Sequence, residues 1–371
     1  MFGTILISIC TFMHVYVFWR IAAVPIIERH ISPRVLIGTG MVLWAVFFFG
    51  RVMGHGRTGV VAGTLEFAGM NWMAILFLIF TSLLFIDIVT FFGFLMPRLS
   101  PSLRGWALLA GLGLSVIALF QGLRPPVIEE YEVSLPGLPE AMDGTVLVAV
   151  SDMHLGSQIG ERWLTARIDQ INAQQPDIVV LLGDIFEGHG PPEEHLIATF
   201  KRLNAPIGVW AVTGNHEFHG GGKTNLLNEA GFKMLNNEWT EVRPGLVLAG
   251  VEDLTTRHRH GEAGDPVSEA LEGSPSGAAI LLSHTPWEYE KAAGAGVGLM
   301  LSGHTHGGQI WPFGYLIRNR YPLFEGRYDV KGMAVIVSRG AGTWGPRMRL
   351  WRPGNILKIT LATSPEKRRR Q

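Results

Sequence analysis

VLVAV at 146–150 runs into Ser151-Asp152-Met153-His154, DIVVLL at 177–182 into Gly183-Asp184, and GVWAV at 208–212 into Thr213-Gly214-Asn215-His216-Glu217. The arrangement repeats twice more: AAILL at 278–282 leads into Ser283-His284, and GLML at 298–301 into Ser302-Gly303-His304-Thr305-His306. Between these apolar runs lie stretches that read as helices, at Glu161–Gln174, at Glu193–Leu203 and after Pro286. Short apolar runs alternating with helices mark an α/β domain. In open α/β sheets ligands gather outside the carboxyl ends of the strands. Five converging strand ends would therefore place Asp152, His154, Asp184, Asn215, His284, His304 and His306 in one pocket. Taken singly the pieces are weak, since Asp after a strand is ordinary turn chemistry. Five of them in order, each at a strand end, are a different matter.

The donor set is imidazole, carboxylate and one amide oxygen. Cys10 is the only cysteine and lies in an apolar run, so thiolate ligation and disulfides are excluded. Mixed nitrogen and oxygen donors suit Mn, Fe or Zn rather than Ca. Asp152 and His154 are two residues apart, so an extended backbone would point both to one side. His304 and His306 share that spacing, but their glycine neighbours let the loop twist.

Together, D-x-H, GD, GNHE, a lone His after a strand and GHTH resemble the calcineurin-like metallophosphoesterase superfamily. Within it, GHTHGGQ (Gly303 to Gln309) and the segment Val337 to Gly342 are similar to the transmembrane and Tat-exported branch. The resemblance covers 125–362. It departs at Pro353-Gly354-Asn355-Ile356, where that branch shows Pro-Glu-Ile. It implies an α-β-β-α sandwich in which Asp152, His154 and His306 hold one divalent metal ion. Asn215, His284 and His304 would hold a second, with Asp184 bridging the two. A pair of metals activates water for attack on phosphorus. His216 is then the general acid that protonates the leaving oxygen, and Glu217 orients the loop behind it. Arg339 and Arg347 are candidates for binding substrate oxygens by analogy with the branch.

Other signals carry less. HGGGKT at 219–224 has Glu217 where a phosphate-binding loop needs its first glycine, and reads as a flexible active-site loop. His258, Arg259 and His260 read as a solvated basic loop.

Upstream, the chain changes character. Of 371 residues 47% are hydrophobic and only 17% charged, and the apolar excess falls before about position 122. Four stretches, 3–19, 35–50, 72–96 and 106–123, approach the roughly 20 residues of a spanning helix. The expected plan is a four-helix membrane region over 1–123, a linker with an edge strand over 124–144, the hydrolase domain over 145–362 and a basic tail over 363–371. The first stretch lacks the basic start of a signal peptide, since no Lys or Arg precedes Arg20. Asp87 reads as helix glue, no basic partner standing inside another span, and His14 as a helix contact. Arg20, Arg29, Arg34, Arg98 and Arg104 fall on one side against Arg51, Arg57 and Arg124 on the other. That bias places the hydrolase domain outside the cytoplasm.

A formal net charge of zero argues against nucleic acid as partner. The expected partners are the bilayer and a phosphate mono- or diester, with membrane location suggesting a lipid or envelope substrate. The alternatives are a pyrophosphatase of a nucleotide-linked glycolipid, and a non-catalytic membrane scaffold or sensor that keeps the fold. A lapsed enzyme should have lost a ligand, and all seven are present together with His216.

Overall fold

The computed structural model describes residues 2–54, 59–187, 195–219 and 227–363. Arg57, the HGGGKT stretch beyond His219, the start of the helix expected from Glu193 and the Lys367–Arg370 tail lie outside them. The chain forms two compact units, Met1–Arg124 with Gly345–Trp351, and Pro125–Trp344 with Arg352–Gln371.

The first unit is helical: α1 (Phe2–Ala22), α2 (Pro25–His30), α3 (Pro33–Phe49), α4 (Val60–Val89) and α5 (Ser100–Leu123). Four segments of 20, 22, 30 and 24 residues, on α1, α3 with its π turn to Gly54, α4 and α5, are long and apolar enough to cross a bilayer. At about 1.5 Å per residue each matches or exceeds the roughly 30 Å hydrocarbon core. The third helix begins well before Trp72, the start expected from hydropathy. Glu66, Gly69 and Asn71 dilute the apolar run, yet all three are buried in α4, and the Asn71 amide donates to Phe67 O at 2.7 Å. It also ends earlier than Met96, at Val89, beyond which Phe92 turns to φ 56°.

Asp87 requires a correction. Its carboxylate is fully buried and is paired with Arg20 Nε at 2.6 Å and Arg104 Nη2 at 2.9 Å, and the Tyr16 hydroxyl donates to it. Both arginines were assigned to connecting loops, but Arg20 lies in the last turn of α1 and Arg104 in α5. The carboxylate does join helices, and it does so through cations from two other helices. His14 contacts Gly40 O of α3 at 2.9 Å and stacks on Phe18.

The second unit has two six-stranded sheets. One runs β1 (Val127–Ser134), β12 (Asn355–Ala362), β2 (Val146–Val150), β3 (Ile178–Leu181), β4 (Gly208–Ala211), β5 (Lys233–Met234). The other runs β10 (Gly326–Val330), β11 (Met333–Val337), β9 (Leu299–Ser302), β8 (Ala278–Leu282), β7 (Leu246–Gly250), β6 (Glu238–Arg243). β2, β3 and β4 pair in parallel, as do β7, β8 and β9. Alternation along these strands sorts side chains into layers. Leu147, Ala149, Ile178 and Val180 meet Leu246, Leu248, Ile280, Leu282, Leu299 and Leu301 between the sheets. The intervening Val148, Val150, Val179 and Leu181 pack outward against Leu164, Ile168 and Ile171 of α6 (Glu161–Asn172) and Phe200 of α7 (Leu196–Phe200). On the other sheet, Ala249, Leu281 and Met300 pack against Leu254 of α8 (Leu254–His260), Val267 of α9 (Pro266–Leu271) and Ala292 of α10 (Tyr289–Gly294). The result is the expected α-β-β-α sandwich. The stretch expected as a basic loop, His258 to His260, is the last turn of α8.

Two further differences concern the C-terminal third. Residues 345–351 cluster with the helical unit rather than with the domain that surrounds them in sequence. Arg349 N donates to Ala118 O and Trp351 N to Gln121 Oε1, each at 2.9 Å. Asn355, where the branch has another sequence, is fully buried at the start of β12. Its amide donates to Glu129 Oε2 at 2.6 Å, and its carbonyl accepts from Ser338 Oγ at 2.9 Å and Arg339 N at 2.8 Å. It ties the Ser338–Gly340 turn to the edge strand.

Candidate metal centre

Strands β2, β3, β4, β8 and β9 all point their carboxyl ends to the same edge, and the expected residues come off those ends. Asp152 Oδ1 is 3.2 Å from His306 Nε2, which is 3.1 Å from His154 Nε2. Asp184 Oδ2 is 3.2 Å from His284 Nε2, which is 3.1 Å from His304 Nδ1. Three groups have ligand atoms within 4.8 Å of each other: Asp152, His154 and His306; Asp184, His284 and His304; and His154, Asp184 and His216, which joins the first two. Asp184 Oδ2 also lies 3.9 Å from His154 Nε2, so one carboxylate faces both nests. Asn215 Oδ1 is buried and, among the described residues, has no hydrogen-bond partner, which suits a cation ligand.

The backbone is bent to achieve this. Asp152, His154, Asp184, His304 and His306 have φ of 53°, 51°, 52°, 71° and 51°. Left-handed conformations cost a non-glycine residue energy and cluster at functional sites. The extended backbone expected to align Asp152 with His154 is therefore corrected: β2 ends at Val150, and two left-handed residues set the pair. Close approach fixes two glycines. A Cβ on Gly214 would lie 2.3 Å from Asp184 Oδ1, and one on Gly303 would lie 1.8 Å from Ser151 Oγ.

Behind the nests, three histidines have their far nitrogens engaged. His154 Nδ1 faces Glu187, His284 Nδ1 donates to Leu182 O at 2.7 Å, and His304 Nε2 meets the Tyr321 hydroxyl at 2.7 Å. The acceptors behind His154 and His284 favour the tautomer whose near nitrogen presents its lone pair to the nest. Glu217 accepts from four backbone amides, those of Asp184, Ile185, Phe186 and Gly214, and so clamps the loops after β3 and β4 together. The residues fit divalent metal ions in donor type, convergence and support.

Electrostatics follow from burial and proximity. Burial opposes charge on Asp184, but His284 and His216 outweigh it and hold the carboxyl well below its usual range. His284 moves well above its ordinary value, burial being overcome by Asp184. His304 is pushed down to about 4 by burial and by the charge of His284. His216, 3.4 Å from Glu187 Oε1 through Nδ1 and 4.0 Å from Asp184 Oδ2 through Nε2, rises to about 9 because Glu187 and Asp184 outweigh burial.

Glu187 was missed by sequence reading, although an acid three residues after the strand-end Asp184 was a visible signal. Tyr321 had none. The guanidinium of Arg339 bonds Glu129 Oε2 and Pro353 O, each at 2.9 Å. Arg347 lies in the 345–351 segment, is buried there, and is lowered to about 10 by that burial.

Comparison with known proteins follows the same residues. The model of the calcineurin-like phosphoesterase family matches 145–308, from the start of β2 to just past His306. A bovine transmembrane protein with metallophosphoesterase domain is 32% identical over 269 residues, covering 68% of this chain and 61% of that protein. An uncharacterized metallophosphoesterase of Campylobacter jejuni is 31% identical over 262 residues, covering 67% of this chain and 69% of the relative. One from Aquifex aeolicus is 34% identical over 241 residues, covering 63% and 91%. With its two sheets, its donor-bearing strand ends and these relatives, the chain belongs to the calcineurin-like phosphoesterase family.

Proposed function

We propose that the chain is a membrane-anchored phosphoesterase that binds two divalent metal ions and hydrolyses a phosphate mono- or diester, with a lipid or envelope molecule as substrate. The observation that carries this is Asp184, whose Oδ2 faces His284 at 3.2 Å and His154 at 3.9 Å, between two donor groups. Asp152, His154 and His306 would hold one ion, Asn215, His284 and His304 the other, and Asp184 both. Nitrogen and oxygen donors of this kind suit Mn, Fe or Zn. When bound, the ions supply Lewis acidity to activate water and neutralise phosphoryl charge.

The chain's own residues do the rest. His216 is held at Nδ1 by Glu187, which leaves Nε2 to give its proton to the departing oxygen. The same carboxylate favours the protonated ring. Glu217 keeps the Asp184 and Gly214 loops in register through its four amide bonds. The complete donor set supports an enzyme over a scaffold. A panel of monoesters, diesters and pyrophosphates, lipid-linked and soluble, given to the full chain with defined metals, tests the reading. No metal-dependent turnover on any of them would refute it.

The orientation reading changes weight. Arg20 and Arg104 are bound to Asp87 inside helices, and Arg34 and Arg51 fall inside the second candidate span, Pro33–Gly54. The loops then hold Arg29 and Arg98 against Arg57 and Arg124, and the arginine count favours neither side. Protease protection of the domain in intact spheroplasts would place it inside, and its cleavage there outside.

A further inference from the structure

Four residues beyond His306 begins the stretch Ile310-Trp311-Pro312-Phe313-Gly314-Tyr315-Leu316-Ile317-Arg318-Asn319-Arg320-Tyr321. Trp311, Phe313, Tyr315 and Leu316 are 45%, 39%, 63% and 63% exposed. In the described residues of the phosphoesterase unit, the other large apolar side chains so exposed are Val127, Phe218 and Trp344. Four within six residues is a patch rather than scatter, and such patches mark interaction sites. The short helix α11 (Gly314–Arg320) carries Tyr315 and Leu316 in its first turn and Arg318 and Arg320 in its last. The guanidinium of Arg318 lies 4.9 Å from the Phe324 ring centre and that of Arg320 4.7 Å from Trp287. Among the described residues neither arginine has an acidic partner. Tryptophan, tyrosine and leucine beside unpaired arginines are the composition of a segment lying in a membrane interface, where anionic headgroups supply the missing charge.

Both ends of this strap are fixed at the metal centre. A Cβ on Gly308, two residues after His306, would lie 2.3 Å from Gly314 Cα, so the helix start sits directly on the GHTHGG turn. At the other end the Tyr321 hydroxyl is bonded to His304 Nε2. We propose that Trp311–Arg320 dips into the interfacial layer of a bilayer that contains anionic lipid. The phosphate ester cleaved is then one displayed at the lipid surface. The substrate half rests on the phosphoesterase reading, while the membrane contact stands without it.

The test uses the full chain in lipid nanodiscs, with Cys10→Ala and a single environment-sensitive fluorophore at Leu316→Cys or, as control, at Lys331→Cys in the exposed β10–β11 turn. The discs are phosphatidylcholine with or without phosphatidylglycerol. Nitroxide carried on lipid should quench the label at 316 and spare that at 331, more strongly in the anionic discs. Arg318→Gln with Arg320→Gln should erase that difference between discs. Equal quenching at both positions overturns the proposal. So does quenching at 316 that needs a second copy of the chain in the disc, which would make the patch a contact between copies. Leu316→Asp should slow hydrolysis of a bilayer-embedded phosphate ester and leave a soluble aryl phosphate unaffected. Quenching with equal rates on both esters keeps the membrane contact and overturns the substrate half. Quenching in a chain that cleaves neither ester condemns the phosphoesterase reading alone.

Discussion

Asp87 in α4 and Asp184 after β3 are both closed off from solvent, yet they are surrounded in opposite ways. Around Asp87 stand two guanidiniums and a phenol, so its charge is met by cations that the protein itself supplies. Around Asp184 stand His154, His216 and His284, and three of the neighbouring histidines have their far nitrogens occupied by Glu187, Leu182 O and Tyr321. The near nitrogens converge with carboxylate oxygens and with an amide oxygen that has no partner among the described residues, a donor set that suits a cation. A buried acid whose partners close the account is structural. One ringed by converging imidazole nitrogens and carboxylate oxygens is a binding site.

The comparison breaks most readily at its acidic centres. Asp184→Asn should drop metal content from about two ions per chain and reduce turnover to background; full occupancy with full activity would end the bridging assignment. His216→Ala should keep both ions and slow alkyl phosphate esters by about 10²–10⁴-fold, with aryl esters, whose phenolate leaves unaided, much less affected. Equal loss on both would remove its role as acid. Glu187→Gln should cost about 10–100-fold through the histidines it holds. It should also move the pH profile. The protonated form of His216 persists below about 9 and is lost as pH rises through that value. Removing the carboxylate that raises it should therefore shift the alkaline fall in alkyl-ester turnover to lower pH, and an unmoved limb would exclude the pairing. The smallest catalytic effect belongs to Asp87→Asn. Metal content and turnover of the folded chain should not change, while stability drops by about 3–5 kcal/mol as two buried arginines lose their counter-charge. A folded but inactive Asp87→Asn would make the membrane carboxylate functional and erase the contrast.

How much of this was legible varied with range along the chain. VLVAV, DIVVLL, GVWAV, AAILL and GLML announce strands by local composition, and the donors follow immediately, so fold and ligands could be read together. The left-handed turns at Asp152 and His154 could not, because the requirement for them comes from the neighbouring loop of Asp184. Glu187 was within reach, three residues from a recognised ligand. Arg20 and Arg104 were misplaced because charge was taken as the mark of a helix end, whereas the pairing that lets them stay inside depends on a residue 67 and 17 positions away. Tyr321 joins the site through a fold-level contact with no local trace.

The seven residues Gly345–Trp351 have a practical consequence. They are threaded between β11 and β12 but cluster with the helical unit, where Ala118 O and Gln121 Oε1 of α5 bond Arg349 N and Trp351 N; Met348 and Leu350 in the same segment are 1% and 0% exposed. The border between the units is therefore crossed more than once by the chain. Trimming away the first 124 residues to obtain a soluble enzyme would strip this segment of its cover and leave two bare apolar side chains in a loop that begins next to Trp344, whose ring lies 6.4 Å from that of His216. A soluble fragment should start not at Pro125 alone but with polar replacements at Met348 and Leu350, and poor behaviour of the simple truncation would say nothing about the chemistry of the intact chain.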